Sequence, residues 1–128
     1  MANPVVHFEI IGTDAPKLRT YYGQLFGWEA NTNSPVVKEV SEAGNYGFVA
    51  RLVTPDGSGI LGGIGGGPSY EAHALFYVGV PDVGAALKKA EALGGKRVMG
   101  PAKKPDGTLV VAQFTDPEGN LVGLAGPT

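Results

Sequence analysis

His7 and Glu9 stand two residues apart in the run VVHFEII, and an extended chain carries both on one side of itself. An imidazole beside a carboxylate can move a proton near neutral pH, the carboxylate orienting the ring or acting as base. His7 and Glu9 are therefore the candidate catalytic pair. Arg51, Tyr77 and Gln113 lie on strand-like stretches beside apolar neighbours such as Ala50, Phe76 and Phe114, and are expected to line a ligand pocket. Each has a group able to fix an oxygen atom of a ligand. Trp28, the only tryptophan, follows Gly27 and either stacks on a flat ligand or seals the end of the core. His73 reads as a histidine at the edge of a loop, where its strand begins.

Other chemistries are excluded by what the chain lacks. There is no cysteine, so thiolate catalysis, zinc-thiolate sites, iron–sulfur clusters and disulfides are ruled out. No G-x-S-x-G occurs, which removes the usual support for a serine nucleophile. The glycine run from Gly62 to Gly67 precedes no helix opening with Lys-Ser or Lys-Thr, so it reads as a flexible linker and not as a phosphate loop. Ten basic against twelve acidic side chains give a net charge of −2, which offers nucleic acid or an anionic membrane no broad attraction. Lys88, Lys89, Lys96, Arg97, Lys103 and Lys104 are interspersed with acidic residues and read as solvated surface. No apolar run approaches the roughly 18 residues of a membrane span, and the opening MANPVVHFEI has no signal-peptide pattern. The expected location is cytoplasmic.

The elements that must position these residues form a repeat. Val5 to Ile11 alternates as a strand, with Val6, Phe8 and Ile10 on one side and His7 and Glu9 on the other. Asp14 then caps a helix carrying Leu18, Tyr21, Tyr22 and Leu25 at helical spacing until Gly27 stops it. Pro35–Val40, Tyr46–Val53 and Gly59–Ile64 read as three strands, followed by a loop from Gly65 to Tyr70. The pattern restarts with the strand His73–Val80. A helix capped by Asp82 follows, carrying Val83, Ala86, Leu87, Ala90 and Leu93 and ending at Gly94-Gly95, then strands at Lys96–Met99, Thr108–Thr115 and Leu121–Ala125. The cap residues Asp14 and Asp82 set the offset at 68 residues. With 128 residues the chain is expected to be one domain, with module one over about 1–65 and module two over about 70–128. The fold class is α+β: two tandem βαβββ modules whose mixed sheet curves, incompletely closed, around one cavity, with the helices outside. His7, Glu9, Leu75 and Tyr77 would face that cavity.

Tandem βαβββ modules, with HFEIIGTD and YYGQLFGWE near the start, YVGVPDVGAALKKAEALGGK at 77–96 and DPEGNLVGL at 116–124, resemble the vicinal oxygen chelate superfamily of glyoxalases, bleomycin resistance proteins and extradiol dioxygenases. The resemblance covers essentially the whole chain. It implies a divalent-metal site in metal-dependent members, with ligands from the first and last strands of each module. Of those positions only His7 is filled: the others fall on Leu75, on Gly123 and on the strand GILGGIG, which has no ligating side chain. No metal and no other cofactor is therefore expected. The resemblance further implies a homodimer. The leading expectation is a metal-free protein that binds a small, partly apolar organic molecule. Its rivals are a glyoxalase-, lyase- or isomerase-type enzyme, with proton transfer by His7 and Glu9 and an oxyanion steadied by Arg51 or Gln113, and a dimerisation module without site chemistry.

Overall fold

Asp14 and Asp82 both cap helices. In the computed structural model, which describes residues 2–50 and 55–128, the Asp14 carboxylate accepts from the Lys17 amide at 3.1 Å and that of Asp82 from the Ala85 amide at 3.0 Å. The helices are α1 (Ala15–Phe26) and α2 (Val83–Ala92). Gly27 ends α1 in the left-handed conformation at φ 74°, its amide bonding the Gly23 carbonyl. Around them run eight strands: β1 (Val5–Gly12), β2 (Ala30–Asn31), β3 (Gly47–Val49), β4 (Leu61–Gly66), β5 (His73–Gly79), β6 (Lys96–Lys103), β7 (Val110–Thr115) and β8 (Leu121–Gly126). The order is βαβββ twice, and the class is α+β, as the sequence predicts.

The chain divides into two compact units, one covering His7–Ala74 and the other Leu75–Thr128 with the N-terminal residues up to Val6. In the first unit the strand order is β2-β3-β4-β1, with β1 and β4 parallel and the other pairs antiparallel. In the second unit it is β5-β8-β7-β6, again with one parallel pair, β5 with β8. Each unit's sheet is thus mixed. A helix lies on one face of each. In the second unit Val83 and Leu87 of α2 pack with Val80, Ala112 and Leu124, while Leu75, Tyr77 and Ala125 cluster apart from them with Val111 and Leu121. Alternation along β5 separates these two sets, Val78 and Val80 going to the helix and Leu75 and Tyr77 to the other face. An open recess of about 480 Å³ in this unit, lined by Pro4, Val6, Leu109 and Pro127 among others, involves none of the candidate residues.

The structure corrects several sequence expectations. Pro35–Val40 is not a strand: Val40 and Ser41 both donate to the Val37 carbonyl, closing a turn, and the second strand is the short β2 immediately after α1. Val37 and Val40 are buried at a spacing of three, which suits a turn and not a pleat. The run Gly62–Gly67 is not a linker, since Gly62–Gly66 lie within β4, and the loop begins at Gly67. Tyr21 and Leu25 are exposed, because the inward stripe of α1 is Ala15, Leu18, Arg19 and Tyr22. Likewise α2 ends at Ala92, and Leu93 behind it is exposed. The strands β6 and β8 extend past their expected ends, to Lys103 and Gly126.

Candidate functional site

β1 sets His7 and Glu9 on the same face and Phe8 on the opposite one, where its ring packs 5.0 Å from Trp28. The register puts Glu9 opposite Gly63 of β4, and Gly63 opposite Phe48 of β3, so one row crosses three strands. Gly63 has no side chain and Tyr46 takes the room: a Cβ on Gly63 or on Gly65 would run into its ring. This fixes the Tyr46 hydroxyl between two groups of β1. It donates to Glu9 Oε1 at 2.9 Å, and its oxygen lies 2.9 Å from His7 Nε2. Glu9 and Tyr46 are each 2% exposed, whereas His7 is half-buried. Phe48 packs edge-on against Tyr46 at 4.8 Å and 6.2 Å from the His7 ring. Ser41 holds the end of β4 by accepting from the Gly66 amide at 2.9 Å and donating to the Gly66 carbonyl. Arg19 of α1 ties the turn before Tyr46 by donating to the Asn45 carbonyl, and its partial burial lowers its pKa from the ordinary value by desolvation.

The second unit repeats the row with different chemistry. Tyr77 of β5 lies opposite Gly123 of β8, which lies opposite Gln113 of β7. A Cβ on Gly123 would overlap the Tyr77 ring. The Gln113 amide donates to the Tyr77 hydroxyl at 2.8 Å, with the two residues 5% and 3% exposed.

The structure brings His7 and Glu9 together through Tyr46, and Tyr77 and Gln113 to each other. It places Trp28 elsewhere, among Phe8, Tyr22 and Phe26 on the helix face of the first unit. Arg51 lies outside the described residues. His73 opens β5 and donates from Nδ1 to the Glu71 carbonyl at 2.8 Å. Tyr46 and Phe48 are the site residues that sequence reasoning missed. Their signal is the alternation Y-G-F after the Gly44-Asn45 turn, which matches a strand facing β4.

The donor set of a divalent-metal site does not fit these residues. The side-chain room at Gly123 is filled by the Tyr77 phenol, that at Gly63 by Tyr46, and Leu75 belongs to an apolar cluster. Among the described residues no three His, Asp or Glu side chains gather where they could hold a metal. Also among the described residues, no helix is long and apolar enough to cross a membrane.

No curated protein matches the sequence. Solved structures do match its fold. A variant of the methylmalonyl-CoA epimerase of Streptomyces coelicolor, in complex with 2-nitronate-propionyl-CoA, is similar at a TM-score of 0.69 and 16% identity, covering 100% of this chain and 99% of that one. The methylmalonyl-CoA epimerase of Mycobacterium tuberculosis is similar at 0.59 and 14%, covering 97% and 87%. A hypothetical protein from Bacillus halodurans C-125 gives 0.63 and 12%, covering 100% and 96%. The model of the Glyoxalase/Bleomycin resistance protein/Dioxygenase superfamily matches residues 5–124, and with two βαβββ repeats beneath that match the chain belongs to this superfamily.

Proposed function

We propose that the chain binds a small, partly apolar organic molecule against the face of the first unit that carries His7, Tyr46 and Phe48, without a metal or an organic cofactor. The supporting observation is the grouping of these three rings, with the Phe48 ring 4.8 Å from Tyr46 and 6.2 Å from His7. The Phe48 ring supplies apolar contact and the half-buried imidazole supplies orientation, while Tyr46, 2% exposed, holds the imidazole from behind. A melting screen against small aromatic and aliphatic acids, amides and alcohols tests this, because a ligand that prefers the native state raises the midpoint. Hits should lose about tenfold in affinity in Phe48→Ala and in His7→Ala, or ~1.4 kcal/mol. A screen without a saturable hit would leave the chain as an interaction module.

The hydrogen-bonded run from His7 through Tyr46 to Glu9 favours a second reading, an isomerase-type proton transfer at a carbon next to a carbonyl. Thioesters of coenzyme A, methylmalonyl-CoA among them because it is named for the epimerases of like fold, can be incubated with the protein in D2O. Enzymatic deuterium uptake that disappears in His7→Ala would support this reading, and no uptake above the buffer rate would remove it. The homodimer is likewise a proposal; a monomer mass at every concentration in sedimentation equilibrium would withdraw it.

A further inference from the structure

The Tyr46 hydroxyl has one proton and lies 2.9 Å from Glu9 Oε1 and 2.9 Å from His7 Nε2. An ionised carboxylate only accepts. With Glu9 ionised, the phenol proton is committed to it, and the hydroxyl oxygen meets His7 as an acceptor. His7 must then carry its proton on Nε2. We propose that Tyr46 is a positioning residue that, between Glu9 and His7, locks neutral His7 in its Nε2–H tautomer and so places the lone pair of the ring on Nδ1.

The opposite pattern has a protonated Glu9 donating to Tyr46 and Tyr46 donating to His7 Nε2, which moves the ring proton to Nδ1. Both hydrogen bonds reverse between the two patterns. A phenol-to-carboxylate bond is charge-assisted and about twice as strong as its neutral counterpart, which favours the first pattern against the cost of burying the carboxylate. The geometry suits a fixed arrangement, since the Tyr46 ring is 2% exposed and lies across Gly63 and Gly65, so the hydroxyl has little room to swing away. For its purpose this assignment rests on the reading that His7 meets a ligand, and it states which nitrogen of the ring is the acceptor or base. The tautomer itself belongs to the ligand-free protein.

The experiment is long-range 1H–15N correlation on the full chain with labelled histidine, at neutral pH and without ligand. His7 should show a protonated-type Nε2, an unprotonated-type Nδ1 and a visible Hε2 proton. Tyr46→Phe keeps the ring over Gly63 and deletes only the hydroxyl, so exchange of Hε2 with water should quicken by about tenfold, as expected for losing one net hydrogen bond. A neutral ring protonated on Nδ1, an imidazolium, or an unchanged Hε2 exchange rate in Tyr46→Phe would overturn the proposal. Should Tyr46→Phe fail to fold, the wild-type cross-peak between His7 Hε2 and the Tyr46 hydroxyl proton decides it, presence supporting and absence overturning. A ligand screen without hits would remove the binding reading and leave the tautomer standing, while a wrong tautomer would leave ligand binding standing.

Discussion

At Gly63 a missing side chain decides where a phenol can go. The Tyr46 ring occupies the space a Cβ would need, and its hydroxyl thereby reaches both Glu9 and His7. Gly63→Ala should force the ring aside and cost about 1–3 kcal/mol by overpacking. Urea denaturation would show the loss, and the signal of the His7 Nε2 proton should move with it. A variant as stable as the wild type would mean that the ring has room to move. His7 and Glu9 were readable as a pair because strand alternation needs only their spacing of two. Tyr46 was not, because its role depends on a diagonal neighbour on the next strand, 17 residues away, that has no side chain to advertise it.

Among the elements, caps and turns were the most legible. Asp14, Gly27 and Asp82 mark helix ends by local hydrogen bonds and by a positive φ, which residue type alone encodes. Pro35–Val40 misled because two adjacent valines suggest a strand, while the turn they form is fixed by the Val37 carbonyl and by burial of Val37 and Val40. The glycines of β4 misled for the opposite reason. Glycine weakens a strand considered alone, and only the aromatic rings of Phe8 and Tyr46 lying across Gly62 and Gly63 explain its presence there. The turn joining β7 to β8 supports a prediction of its own. Hydrogen bonds from the Asn120 side chain, and then from its backbone, hold the Asp116 carboxyl below the ordinary carboxylate value. A carboxyl depressed in this way stabilises the fold above the unfolded pKa of about 3.9, and the benefit is lost as pH falls through the lower folded value. Asp116→Asn should therefore lie below the wild type in melting temperature at neutral pH, with the gap closing in acid. A gap constant down to the acid limit would contradict this.

Over the whole molecule the repeat preserves a row and changes its chemistry. Glu9–Gly63–Phe48 in one unit corresponds to Tyr77–Gly123–Gln113 in the other, a large residue facing a central glycine in each case. In each unit a tyrosine fills the place a ligating side chain at that glycine would need. Melting with Zn, Ni, Mn, Co or Fe(II) should accordingly leave the midpoint unchanged, and Gly123→Glu should destabilise the chain without creating a metal response. A stoichiometric metal whose melting shift vanishes in His7→Ala would reverse that view. The aromatic cluster of α1 has a practical consequence for following these experiments. The one tryptophan, Trp28, packs within 5.0 Å of Phe8 and of Phe26 in the first unit, so red-edge excited fluorescence is a private optical reporter of that unit, while far-ultraviolet circular dichroism sums over both. Coincident transitions by the two probes mean that the repeats melt as one cooperative body, and separated transitions give the stability of each half from a single unlabelled sample.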